Sequence, residues 1–151
     1  MQANITRATS KDLKAIAALG GQFIAASISS KFISYDTEGF EGALRELVAK
    51  HVAYVWIARV ANKIAGAACL IVTANIYNPI EILADCYFID VLPEYRKQGL
   101  MVDLLGECER WCKHNGIVAM SVSFNDDPIA KGMIKKGYTK FETRLIKKVG
   151  G

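Results

Sequence analysis

Residues 91–105 read VLPEYRKQGLMVDLL. An apolar strand end, Val91-Leu92, is stopped by Pro93. Arg96, Lys97 and Gln98 then crowd ahead of Gly99, after which apolar residues fall at helical spacing. A turn that only reverses the chain needs no such cluster. A turn that holds an anion does, because a helix start presents unpaired N–H groups and the positive end of the helix dipole, and glycine keeps a Cβ out of the way. A phosphate or diphosphate is the natural guest. The glycine-rich fingerprints GxGxxG and GxxxxGK[ST] are both absent, so a fold other than theirs must own the site.

On the N-terminal side of this turn, Ile80–Leu92 is a long apolar run that suits the centre of a sheet. On the other side a helix is predicted from about Gly99 to His114. Met101, Leu104, Leu105, Cys108, Trp111 and Cys112 form its buried stripe, and Asn115-Gly116 its left-handed cap. Ile117–Phe124 reads as the next strand. Strand, helix and strand make a βαβ unit, so these two strands should be parallel and the crossover right-handed.

Upstream, Val52–Arg59 and Ile64–Thr73 read as strands joined by a hairpin turn at Ala61-Asn62-Lys63, and Tyr77-Asn78-Pro79 is the next turn. The small residues Ala65, Gly66, Ala67 and Ala68 imply close packing. Asn4–Thr9 alternates as a short strand. Thr9 or Ser10 then caps a helix to about Leu19, with Asp12 at the capping-box position if Thr9 is the cap. Gly20-Gly21 interrupts that helix, and residues 22–35 stay open between another helical turn and a loop. Asp36 or Thr37 caps a second helix, with Phe40, Ala43, Leu44, Leu47 and Val48 on one face. Near the end, the break 125–128 starts a short helix that stops at Lys136-Gly137. Tyr138–Phe141 and Thr143–Val149 then finish as a strand pair. Residues 1–151 are thus read as a single α/β domain. Its one mixed, mostly antiparallel sheet has a central parallel βαβ crossover and helices on both faces.

Composition narrows the function. A hydrophobic fraction of 52% supports a sizeable core. Nineteen Lys and Arg against 15 Asp and Glu leave +4, which suits an anionic small ligand. No basic run interleaved with aromatics points to nucleic acid. The longest apolar run, near Ile64–Val72, is far short of the roughly 20 residues that span a bilayer, and the first residues have no signal-peptide core. A cytoplasmic protein without membrane contact is expected. The four cysteines, Cys69, Cys86, Cys108 and Cys112, form no CxxC pair and are expected to be free and mostly buried, with no metal site.

The stretch Val91–Met101, followed by Leu104-Leu105, resembles the central motif of the GNAT superfamily of acetyl-CoA-dependent N-acyltransferases, [Q/R]-x-x-G-x-[G/A]. Its first position falls on Arg96 and its glycine on Gly99. Asn125, Ala130, Lys135-Lys136, Gly137 and Tyr138 are similar to the family's later polar break, short helix and Lys-x-Gly-aromatic end, and ITRATSKDL to its opening strand and helix. The resemblance spans nearly the whole chain. It implies acetyl transfer from acetyl-CoA, as co-substrate, directly to a small-molecule or peptide amine, on a fold that admits a homodimer. It also leaves room for a weak or inactive acyl-CoA-binding member that acts as a sensor or interaction module.

The resemblance also assigns roles. Backbone amides of Gln98, Gly99, Leu100 and Met101 would bind the diphosphate, with Arg96 and Lys97 assisting. The strand edge at Ile89–Val91 would face the acetyl carbonyl and pantetheine amides, and Asn125 the pantetheine arm. The general base would be Asp85 or Asp90. Asp85 lies eleven residues before Arg96, where the histone-acetylating branch carries a carboxylate. In a regular strand the two differ in parity and face opposite sides, unless a bulge intervenes. Glu81 and Tyr87 share Asp85's parity and could line an amine groove. Two positions depart from the pattern. Met101 stands where Gly or Ala is usual, and Met133 stands where many members carry a Tyr that protonates the leaving thiolate. Either water, Tyr138 or Ser123 would serve instead, or the thiolate would leave with little help, or catalysis would be weak or absent.

Overall fold

The computed structural model of the chain describes residues 2–25, 27–124 and 127–150. Among them five strands form one sheet in chain order: β1 (Asn4–Arg7), β2 (Ala53–Val60), β3 (Lys63–Asn75), β4 (Asn78–Val91) and β5 (Ala119–Val122). The first three junctions are antiparallel and β4–β5 is parallel. The helices are α1 (Ser10–Ala25), α2 (Thr37–Ala49), α3 (Leu100–His114) and α4 (Asp127–Lys135). The mixed sheet and its βαβ crossover through α3 are therefore as the sequence implies.

Each face of the sheet buries one helical layer. Leu100, Leu104, Leu105, Cys108 and Cys112 of α3 pack on Trp56, Ala68, Ala84, Cys86 and Val91, together with Met133 of α4. Leu13 and Ile16 of α1 and Leu44 of α2 pack on Val55, Ile57, Ala67 and Cys69 from the other side. The small residues of β3 serve this closeness. A Cβ on Gly66 would lie 2.7 Å from the Asp90 carbonyl and 3.3 Å from Leu104 Cδ1, so only glycine admits β4 and α3 at this spacing. The capping box at α1 also forms: the Thr9 N–H donates to Asp12 Oδ2 at 2.8 Å, and the Asp12 N–H to Thr9 Oγ1 at 3.4 Å. Asp12 is paired with Arg59 of β2 as well, which ties the helix start to the sheet.

Three readings need correction. Gly20-Gly21 does not break α1. A side chain at Gly20 would run into the Tyr35 ring, whose hydroxyl donates to the Ala17 carbonyl at 2.5 Å. The glycines make room for that ring, and its packing offsets their helix penalty of about 1 kcal/mol each. The strand after α3 is shorter than 117–124 and spans only Ala119–Val122. Finally, 138–150 forms no strand pair; Leu145 and Val149 are 94% and 91% exposed. The segment alternates well enough, but its intervening Lys, Glu and Arg leave it without a buried face to offset the cost of ordering.

Candidate active site

The β4–β5 pairing is brief. Leu83–Cys86 match Ala119–Val122, and beyond Cys86 the two strands share no further register. Among the described residues, the last five of β4 therefore keep a backbone edge without a strand partner. The Leu92 N–H donates to Ala65 O on β3 at 2.8 Å. By strand alternation Asp90 also directs its backbone toward β3, while Ile89 and Val91 direct theirs into the opening. The Val91 carbonyl accepts from Arg96 Nε at 3.0 Å, so the Arg96 side chain folds back over the strand end. The N–H groups of Ile89 and Val91 remain turned to the opening.

That opening leads to the turn at 96–99. Pro93–Tyr95 makes a single 3₁₀ turn, and Lys97 and Gly99 are left-handed at φ 65° and 77°. No side chain caps α3, and its first closing bond runs from the Asp103 N–H to Gly99 O at 3.0 Å. The preceding amides have no intrahelical acceptor, and left-handed turns of this kind gather N–H groups into anion-binding concavities. A Cβ built on Gly99 meets no atom within 4 Å. The glycine is required by its φ rather than by crowding, and the space above it is open. Met101 does not fill that space; its side chain packs against the α3-side core. Arg96, Lys97 and Gln98 are exposed at the rim, and the Leu100 side chain is buried. The turn thus fits a diphosphate-bearing ligand.

On the opposite face of β4, the register contains the feature that arranges the carboxylates. Cys69 faces Phe88 and Leu70 faces Cys86, which leaves Tyr87 as an extra, bulged residue. The bulge resets the alternation. Ala84, Cys86 and Val91 belong to the α3-side core, while Phe88 packs toward α1 and α2. Asp85 and Asp90 therefore face the same side, not opposite sides. Their surroundings differ. Asp85 accepts a 2.7 Å hydrogen bond from Ser121 Oγ across the β4–β5 pairing. Asp90 lines a cavity of about 500 Å³ between β4, α1 and α2, with Phe88, Tyr35 and Phe40 among its walls. Burial pushes the Asp90 carboxyl up to about 6, with Arg96 pulling the other way.

The family profile of the Acetyltransferase (GNAT) family matches residues 22–138. The chain belongs to the GNAT family. Solved structures share its fold. A predicted acetyltransferase from Clostridium acetobutylicum, solved with acetyl-CoA, aligns at a TM-score of 0.76 and 16% identity over 97% of this chain and 96% of that one. A glucosamine-6-phosphate N-acetyltransferase from Arabidopsis thaliana aligns at 0.77 and 14% identity over 99% and 100%. An aminoglycoside acetyltransferase from an uncultured soil metagenomic sample, in complex with trehalose, aligns at 0.72 and 21% identity over 99% and 95%. At these identities the likeness is one of fold. The comparison with curated proteins finds no match.

Other residues of this GNAT chain fall into place around the site. Met133 is buried in the α3-side core, so packing rather than chemistry explains it. The Tyr138 hydroxyl donates to Glu109 Oε1 at 2.5 Å; burial, then that bond, holds its phenol well above the usual range. Ser123 is exposed, and Asn125 lies outside the described residues. Glu81 accepts from Asn75 Nδ2 at 3.0 Å beside the β3–β4 turn, away from the cavity that Tyr87 helps to line. Tyr54 and Trp56 pack around Trp111 and Arg7. The cysteines are free and buried, and burial pushes Cys69 up to about 12 and Cys112 to about 11. No helix among the described residues is long and apolar enough to cross a membrane. Sequence reasoning read Asp36 only as a helix cap and missed it as a carboxylate at the cavity mouth. Its position directly between the ambiguous segment 22–35 and the first residue of α2 was the available signal.

Proposed function

We propose that the chain is an acetyl-CoA-dependent N-acetyltransferase that moves the acetyl group directly to an amine. The observation that carries this reading is the splitting of β4 from β5 immediately above an uncapped helix start. It offers one continuous line of unpaired N–H groups, from the turn at 98–101 to the strand edge at Ile89 and Val91. The turn amides and Lys97 would hold the diphosphate, and the strand edge the pantetheine amides and the thioester carbonyl. Amides fixed in this way stabilise the oxyanion that forms when the amine attacks.

Asp90 is the better placed of the two carboxylates to accept the amine proton. It faces the cavity, and with a carboxyl near 6 it is ionised at neutral pH and more basic than an ordinary aspartate. Asp85 is committed to Ser121 and positions β5. The C–N bond forms as the nitrogen lone pair adds to the carbonyl carbon. The intermediate then expels CoA thiolate, and the amine proton passes to Asp90 directly or through one water. Neither Met133 nor the Glu109-bound Tyr138 supplies a proton to the thiolate, which takes one from solvent.

Incubating the purified protein with acetyl-CoA and a panel of amines, and following free thiol together with acetylated product, tests the reading. Amine-dependent thiol release supports it. Release no faster than hydrolysis, for every amine, refutes it. The buried Met133 at the usual acid position favours a second reading, an acyl-CoA-binding protein that transfers slowly or not at all. Saturable acetyl-CoA binding without turnover would select that one.

A further inference from the structure

The cavity beside Asp90 carries information about the acceptor. Its floor is apolar: Ile16, Phe23, Ile24, Phe40 and Phe88. Ile33 and Tyr87 stand at its mouth, 52% and 67% exposed, so apolar surface continues outward to meet an entering molecule. The polar groups are few. The Tyr35 hydroxyl already donates to the Ala17 carbonyl, which removes its proton from use by a guest. Gly20 lies beneath that ring. Ser34, Asp36 and Asp90 remain. No Lys, Arg or His lines the cavity among the described residues, and the cation that acts on Asp90, Arg96, is bound to the Val91 carbonyl on the other edge of the strand. Asp36 is the N-cap residue of α2, yet its carboxylate makes no capping bond and is left for other partners.

Two consequences follow. A guest bearing phosphate or carboxylate would place its charge beside Asp36 and Asp90 with no cation in the cavity lining to meet it, and like charges so placed repel. A polyol amine would bury hydroxyls against aromatic walls that cannot bond them. An ammonium on an aryl or alkyl body suffers neither penalty: its body covers the apolar floor and its nitrogen reaches toward Asp90.

We infer that the acceptor is a monoamine with an apolar, aryl or alkyl body and no anionic group, seated in the cavity between α1, α2 and the bulged segment of β4. This rests on the acetyltransferase reading, and it deepens that reading by fixing the acceptor class.

Phenethylamine and phenylalanine make a matched pair that differs by one carboxylate; glucosamine and glucosamine 6-phosphate supply the polyol and anionic comparisons. Two readouts are taken on the full chain. One is thiol release with acetyl-CoA, and the other is calorimetric binding of each amine to protein saturated with CoA. Phenethylamine is expected to exceed phenylalanine and both sugars by at least about tenfold in kcat/KM and in affinity. Ile33→Arg puts a cation at the mouth from an exposed position, and is expected to narrow or invert the preference for phenethylamine over phenylalanine. Asp36→Asn keeps a good cap residue and is expected to weaken phenethylamine by about two- to fivefold. Equal or better use of phenylalanine or a sugar by the unaltered protein overturns the inference while leaving acetyl transfer intact. Selective binding of phenethylamine without turnover of any amine supports the cavity's preference for an apolar monoamine and overturns the transferase reading. Binding of none of the four amines overturns the inference.

Discussion

Asp90→Asn should make the protein more stable and less active at once. The carboxyl is raised from 3.8 to about 6, chiefly by burial and against the pull of Arg96. Between those values the folded chain holds a proton that the unfolded chain releases. The contribution to stability is therefore full below pH 3.8, is lost as pH rises through 6, and is level above that. At about 1.4 kcal/mol per pH unit the loss reaches about 3 kcal/mol. Asparagine has nearly the same shape and no charge, so the variant escapes the loss. Urea denaturation of both proteins at pH 4 and pH 8 reads the effect. The two proteins differ only at residue 90, so the comparison isolates that carboxyl and its neighbours' response to it. The variant should gain up to about 3 kcal/mol over the unaltered protein on going from pH 4 to pH 8. In turnover, kcat/KM of the unaltered protein should rise with pH through about 6. The variant should lose that inflection and fall by about 10²–10⁴-fold. A stability difference that does not move with pH, or an inflection retained in the variant, would refute the placement of a strained, ionised carboxylate in the cavity.

Gly99→Ala meets no neighbour but must adopt φ 77°; it should cost about 1–2 kcal/mol in denaturation and weaken acetyl-CoA binding by calorimetry. Cys86→Ala should keep turnover, because the buried thiol is held well above the usual range, first by its bond with Cys108 and then by burial, and carries no acyl group in a direct transfer. Native protein should likewise resist a thiol-specific reagent until it is unfolded. Asp12→Ala should cost about 1–4 kcal/mol in urea denaturation, since it removes the partner of both the Thr9 amide and Arg59. Burial raises the Asp12 carboxyl, but the Thr9 and Arg59 contacts outweigh it and leave it below 3.8. The stability that Asp12 supplies is therefore present above 3.8 and should disappear as pH falls through the depressed value.

Much of the fold is legible because its signals are local. The stripe Leu104, Leu105, Cys108 and Cys112 states which face of α3 is buried, and Pro93 and Gly99 bracket the turn in positions that few other structures require. Thr9 and Asp12 spell the capping box directly. What escapes the sequence depends on partners far along the chain. Gly20 reads as a breaker until Tyr35 is seen to lie over it. The bulge at Tyr87 leaves no mark in the residues of β4, yet it decides that Asp85 and Asp90 share a side. Choosing between those carboxylates then depends on Ser121, 36 residues away, which occupies one and leaves the other to the cavity. The tail shows the converse: 138–150 carries strand alternation and builds no strand.

The central claim is that the gap between β4 and β5 and the turn beneath it receive acetyl-CoA. A crystal structure of the chain grown with acetyl-CoA tests it most directly. The account predicts diphosphate oxygens about 2.7–3.2 Å from the amides of residues 98–101, and the thioester carbonyl at the strand edge of Ile89 and Val91 on the way to Asp90. A ligand seated elsewhere at saturation, with those amides left to solvent, would contradict it.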